Sequence, residues 1–201
     1  ECPILNEIYV KLSKQWKQKI LTSFSICFVI TFLFVHSATA DELPKYDRDS
    51  FGGWSDTDRD CQNTRHELLQ KLSTAVIRLS QNTCRVLRGR WFDPYTGQIF
   101  LNSRELDIDH LVPLKYSWDR GAYKWSRAKR VSFSNDPVNL FAVKKSVNRQ
   151  KSADGPAEWL PPNLKFRCEY ILRFQRVVRK YKLTQSAVEL QLIGHARQQY
   201  C

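Results

Sequence analysis

Apolar and polar positions alternate most cleanly along Leu106-Asp107-Ile108-Asp109-His110-Leu111-Val112-Pro113-Leu114, the two-residue period of a half-buried strand. Neighbouring strand side chains point to opposite faces, so Asp107 and Asp109 share one face and Ile108 takes the other. Asp109 and His110 therefore diverge unless the strand ends or bulges there. The turn signal Asn135-Asp136-Pro137 then introduces a short apolar run, residues 138–143, that reads as a buried strand. The basic stretch Lys144-Lys145-Ser146-Val147-Asn148-Arg149-Gln150-Lys151-Ser152 suits one or two helical turns.

Flanking elements are coarser. Residues 41–60 read as an ordered loop or short strand anchored by Tyr46, Phe51 and Trp54. Asn63 or Thr64 caps a helix reaching about Ser80, with Leu68, Leu69, Leu72, Val76 and Leu79 as its apolar stripe. Two strands surround the turn Asp93-Pro94-Tyr95-Thr96-Gly97. Residues 115–130 form an insertion in which Tyr116, Trp118, Tyr123 and Trp125 alternate with Arg120, Lys124, Arg127, Lys129 and Arg130. The rings are expected to pack and the charges to serve a ligand. Pro161 and Pro162 hold residues 159–163 in an extended turn. A helix over 168–182 and another, capped by Thr184 or Ser186 and running to about Gln199, close the sequence. His66 and His195 read as surface residues.

Four lysines (Lys11, Lys14, Lys17, Lys19) precede the apolar run 20–35 and then His36-Ser37-Ala38-Thr39-Ala40. That order is a secretory signal, with cleavage expected after Ala40. Sixteen residues broken by Thr22, Ser23, Ser25 and Thr31 are short for a spanning helix, which needs about 20, so no stable membrane insertion is expected after cleavage. Export to the medium or a periplasm follows, and residues 41–201 have the scale of one domain. The whole chain carries +12. Without the four lysines and two glutamates of residues 1–40 it keeps a large positive excess, which favours anionic partners, nucleic acid above all.

Cys61, Cys84, Cys168 and Cys201 remain after cleavage, and none sits in a Cys-x-x-Cys pair. An even count in an exported chain reads as disulfides, with three possible connectivities. Cys61–Cys84 and Cys168–Cys201 is the pairing expected here, each bond contributing ~3 kcal/mol.

A strand ending in Asp109-His110, a strand led by Asn139-Leu140, and a short helix bearing Asn148 together resemble the HNH, or His-Me finger, nucleases. Further motifs extend the likeness: Gly89-Arg90-Trp91-Phe92-Asp93-Pro94-Tyr95-Thr96-Gly97, Cys61-Gln62-Asn63-Thr64-Arg65, and Pro156-Ala157-Glu158-Trp159-Leu160-Pro161-Pro162-Asn163. Over residues 46–183 the chain resembles secreted HNH proteins related to the C-terminal domain of the GmrSD restriction endonuclease. The resemblance implies an α+β fold: a ββα-metal core over about 106–152, additional helices (the C-terminal pair over about 166–199) and a small sheet.

The same resemblance implies roles. His110 becomes the general base, a task that suits an imidazole. Asp109 and Asn148 become hard oxygen ligands to one divalent cation, Mg²⁺ first and Mn²⁺ second. Asn139, the central Asn of the motif, bridges the loop carrying His110 and fixes the ring. Asp107 supports this set or simply ends the preceding turn. Arg149, Lys151, Lys144, Arg65 and Arg130 are candidate nucleic-acid contacts, against the plainer reading of a solvated basic face; Arg65 could alternatively pin the capping loop. The activity implied is a monomeric endonuclease that hydrolyses DNA phosphodiesters, and no zinc finger or clear helix-turn-helix suggests strong base specificity. A catalytically silent nucleic-acid binder on the same scaffold and an antibacterial nuclease effector are the alternatives.

Overall fold

Two antiparallel sheets and six α-helices account for the regular structure of residues 42–201, the part of the chain that the computed structural model describes. The expected signal segment and its cleavage site lie outside these residues. Pro44–Cys201 forms one compact unit. The fold is α+β, as expected.

Helix α1 (Thr64–Leu72) starts where predicted, with the Asn63 side chain accepting the His66 N–H. It ends a full eight residues early. Ser73 turns extended, its hydroxyl accepts the Arg90 N–H at 3.0 Å, and the Thr74 N–H donates to the Arg90 carbonyl at 2.8 Å. Thr74, Val76 and Ile77 are β-branched and gain little from a helix, so pairing with a sheet edge wins. Val76, expected in the apolar stripe, is 97% exposed. Leu79 instead joins strand β1 (Arg78–Leu79).

Strands β2 (Val86–Phe92) and β3 (Ile99–Asn102) flank the predicted Asp-Pro-Tyr-Thr-Gly turn, and the sheet runs β1-β2-β3. Its register shifts between Arg88 and Trp91. Gly89 sits in that irregularity because a Cβ there would meet the Trp91 ring at 2.6 Å and Ser73 Oγ at 2.7 Å. The inward residues Val86, Trp91 and Phe100 pack on Leu68 and Leu69 of α1 and on one face of the second sheet.

That second sheet is the pair β4 (Leu106–His110) and β5 (Leu140–Lys144), in continuous register from Leu106↔Lys144 to His110↔Leu140. Leu106, Ile108, Leu140 and Ala142 face the first sheet, while Val143 faces a larger aromatic cluster. Apolar cover on both faces explains why so short a strand pair is buried. The insertion between them forms α2 (Leu114–Asp119) and α3 (Arg127–Ser134), and α4 (Lys145–Lys151) follows β5 directly. Helices α5 (Arg167–Tyr181) and α6 (Ala187–Tyr200) cover the aromatic side, α6 being capped by Ser186.

The insertion rings pack as expected: Tyr116 and Trp118 are buried, and Tyr123 and Trp125 lie against the same cluster. Its charges divide. Arg120 pairs with Glu189 of α6 at 2.9 Å, and Arg130 donates to the carbonyls of Ser50 and Trp125, whereas Lys124, Arg127 and Lys129 stay exposed. His66 is not a free surface residue: its Nδ1 accepts the Val86 N–H at 3.1 Å and ties α1 to β2. His195 is exposed. Both expected disulfides are present, Cys61–Cys84 ahead of α1 and β2, and Cys168–Cys201 linking α5 to the end of α6.

Candidate active site

Alternation along β4 places Asp109 and His110 in two different environments. Asp109 is 5% exposed and faces the aromatic side. Tyr95 Oη donates to its Oδ2 at 2.6 Å, and Lys151 Nζ lies 3.0 Å from either oxygen. Lys151 also donates to the His110 carbonyl at 2.9 Å. Burial pushes the Asp109 carboxyl up and the Lys151 ammonium down, each opposed by the other's charge.

His110 is 8% exposed and turns the other way. Its ring stacks on Trp54, centroids 5.3 Å apart and planes within 4°. Nε2 lies 2.8 Å from the carbonyl oxygen of Ser134. A carbonyl only accepts, so that nitrogen carries the proton and Nδ1 keeps a free lone pair. Ser134 is itself fixed, its hydroxyl donating to the Phe51 carbonyl at 2.8 Å. The imidazole is pushed down to about 4, chiefly by burial, which outweighs the opposing Ser134 bond and is helped by the charges of Arg48 and Lys151.

Asn139 is fully buried and works on the segment just past His110. Its carbonyl accepts the Leu111 N–H at 2.8 Å, its Oδ1 accepts the Val112 N–H at 2.8 Å, and its Nδ2 donates to the Val112 carbonyl at 3.2 Å. The turn presenting it is capped by Asp136, whose carboxylate accepts the Val138 N–H, Tyr181 Oη at 2.7 Å and Lys180 Nζ.

Asn148, on α4, donates from Nδ2 to Asp107 Oδ2 at 3.3 Å. The amide must present its nitrogen to a carboxylate, which leaves Oδ1 as the free acceptor. Asp109, His110 and Asn148 all line one cleft of about 370 Å³, with Tyr46, Arg48 and Lys115 on its walls. A second cleft of about 400 Å³ opens on the Trp54 side of His110, lined by Arg48, Arg127 and Ser134. His110 and Arg48 border both.

The oxygens on hand suit a hard dication. A carboxylate offers roughly four acceptor positions, so Asp109 keeps capacity beyond Tyr95 and Lys151, and Asn148 Oδ1 is unengaged. Lys151 opposes the burial that pushes the Asp109 carboxyl up, and its like charge would also oppose a cation placed at that carboxylate.

The expected nucleic-acid contacts separate into two kinds. Arg149 is exposed beside Asn148, and Lys144 is half-buried at the end of β5. Lys151 is fully buried, so the surface role expected for it is corrected: its charge is spent on Asp109. Arg65 Nη2 donates to the Leu106 and Ser103 carbonyls at 2.9 and 3.3 Å, which pins the chain entering β4. Arg130 likewise donates to the Trp125 carbonyl of its own loop and to the distant Ser50 carbonyl. Sequence reasoning missed four contributors. Arg48 and Trp54 come from a loop without a periodic pattern. Tyr95 and Asp93 were visible as turn residues only, although Asp93 Oδ2 also accepts the Lys144 N–H at 3.2 Å and so joins that turn to β5.

A family model described as the C-terminal domain of GmrSD restriction endonucleases matches residues 62–192. The chain belongs to that family. As a GmrSD C-terminal-domain member it falls in a nuclease-related group, and the matched span holds Tyr95, Asp107, Asp109, His110, Asn139, Asn148 and Lys151. Arg48 and Trp54 stand outside it, although both touch the space around His110. An uncharacterized secreted protein of Arthroderma benhamiae is 36% identical over 146 residues, covering 72% of this chain and 70% of the relative. No solved structure matches. Among the described residues, no helix is long and apolar enough to cross a membrane.

Proposed function

We propose that this chain is an exported, metal-dependent endonuclease of the HNH, or His-Me finger, type that hydrolyses phosphodiester bonds of DNA with low sequence specificity. One observation carries the reading: a buried imidazole with one nitrogen committed to a carbonyl and the other free, in a cleft shared with Asp109 and Asn148. The β4–β5–α4 succession, two antiparallel strands followed directly by a short helix, supports it as the counterpart of the ββα unit expected of such enzymes. Two disulfides and the secreted relative favour work outside the cytoplasm.

His110 Nδ1 takes the proton of an attacking water, and the proton on Nε2 stays with Ser134. Asn139 holds the segment past His110 so that the ring cannot swing off line, and Trp54 backs its face. Arg48, at the rim of both clefts, binds a phosphate oxygen, and exposed Arg149 receives the neighbouring phosphate. Asp109 and Asn148 would hold a divalent cation, which when bound neutralises charge on the phosphate and on the departing oxygen. Lys151 and Tyr95 keep Asp109 in place, as Asp107 does for Asn148.

Supercoiled plasmid nicking with purified protein tests this. Cleavage should require Mg²⁺ or Mn²⁺, stop in excess chelator and return on re-addition. Undiminished nicking in chelator removes the cation from the proposal, and binding without nicking under any metal leaves a silent scaffold.

A further inference from the structure

Away from that cleft, the outward face of the β1-β2-β3 sheet carries an arrangement that the fold does not need. Arg78 of β1 stands directly opposite Arg88 of β2, and Arg88 stands opposite Asn102 of β3. Arg104, in the turn leading into β4, joins Arg78, Leu87, Arg88 and Asn102 around one groove of about 260 Å³. All three arginines are exposed, and none takes part in an ion pair among the described residues. Like charges directly across a strand pair destabilise a sheet. The outward row continues along β2 with Arg90 and Phe92, beside Ile99 and Leu101 of β3, and these three apolar side chains are about half exposed.

We propose that this groove is a second nucleic-acid contact, an anchoring site for the phosphate backbone of the substrate strand outside the catalytic cleft. Three guanidiniums lining one groove without a carboxylate form a ready receptor for successive phosphate oxygens, which guanidinium binds in bidentate fashion. Phe92 and its apolar neighbours give a base or sugar a surface to lie on. Arg104 is six residues from His110 along the chain, so a strand held here stays tethered to the protein while another stretch enters the cleft. The inference rests on the nucleic-acid reading of the cleft and adds a site that reading lacks.

The test is a triple variant, Arg78→Gln, Arg88→Gln and Arg104→Gln, compared with the wild type. Duplex DNA affinity, measured by fluorescence anisotropy across a salt series, should fall about 10-fold or more, with the slope of log K against log salt shallower by about 2 to 3. Hydrolysis of a small chromogenic phosphodiester, which needs the cleft alone, should stay within about 2-fold. Without DNA, Arg78→Gln alone should raise the melting midpoint by about 1–2 °C by relieving the cross-strand repulsion. Unchanged duplex affinity and slope in the triple variant overturn the proposal, as does loss of heparin binding with duplex binding intact. A lowered midpoint in Arg78→Gln also overturns it, because the arginines then serve the fold. The two readings fail separately: wild-type protein that binds duplex through these arginines but cleaves nothing sinks the catalytic reading and leaves the groove standing.

Discussion

Asp109 and His110 are adjacent in sequence and opposite in physics. On the Asp109 side, a charge is buried and met by a buried ammonium and a phenol hydroxyl. On the His110 side, a ring is buried neutral, held by one carbonyl and one indole face. A strand's two-residue period lets one short element offer an acidic oxygen to one wall and an unprotonated nitrogen to the other. Burial pushes the two groups in opposite directions, the carboxyl up against the pull of Lys151 and the imidazole down to about 4.

Breaking the His110 side should have the largest effect. His110→Ala is expected to lower the plasmid-nicking rate about 10²- to 10⁴-fold while duplex affinity stays within a factor of about 2. Near-wild-type nicking would remove His110 as the base. On the Asp109 side, Lys151→Met strands a buried carboxylate and should cost about 3–5 kcal/mol in denaturant unfolding. Adding Asp109→Asn should recover part of that loss. If Lys151 instead touched DNA, stability would hold and the salt dependence of binding would weaken.

Asp136 sharpens the contrast from outside. Burial alone would raise its carboxyl, but the bonds from Lys180, Tyr181 and the Val138 N–H win and hold it below its ordinary range. A depressed carboxylate stabilises the fold above its unfolded pKa, and the contribution fades as pH falls through the folded value. Asp136→Asn should therefore cost about 1 kcal/mol at neutral pH, with the gap to wild type closing in acid. A gap that persisted at low pH would place the effect in the turn's shape rather than its charge.

The smallest effect is an expected absence of change. With His110 near 4, the imidazole stays unprotonated well below the ordinary histidine value. The kcat/KM profile should be flat down to about pH 5. An acid limb near 6.5 would show that the ring is open to water. The fold should respond oppositely to Asp136 in mechanism but alike in sign: the unfolded chain takes the His110 proton first, so stability drains as pH falls from about 6.5 towards about 4.

Much of the site was legible because it lies in one run. Strands β4 and β5 follow the apolar alternation, α4 follows directly, and the spacing of Asp109, His110, Asn139 and Asn148 survives in the structure as one cleft and its brace. Three things were not legible for a common reason: they depend on partners far away in sequence. The end of α1 is set by Arg90 of β2. Lys151 looks like a surface cation until Asp109, 42 residues earlier, is seen to claim it. Trp54 and Arg48 sit in a loop whose composition says nothing about the imidazole it covers.

Asn139 has one more consequence. By meeting both Leu111 and Val112 it adds a spare rung beyond His110↔Leu140, after the two chains have begun to part. The long excursion that leaves at Pro113 is thereby insulated from the rung below it. Its opening helix is itself held by the buried Tyr116 and Trp118, so foreign sequence should be accepted only among exposed residues such as Lys124, Arg127 and Lys129, provided the returning chain still delivers the carbonyl of Ser134 to the ring.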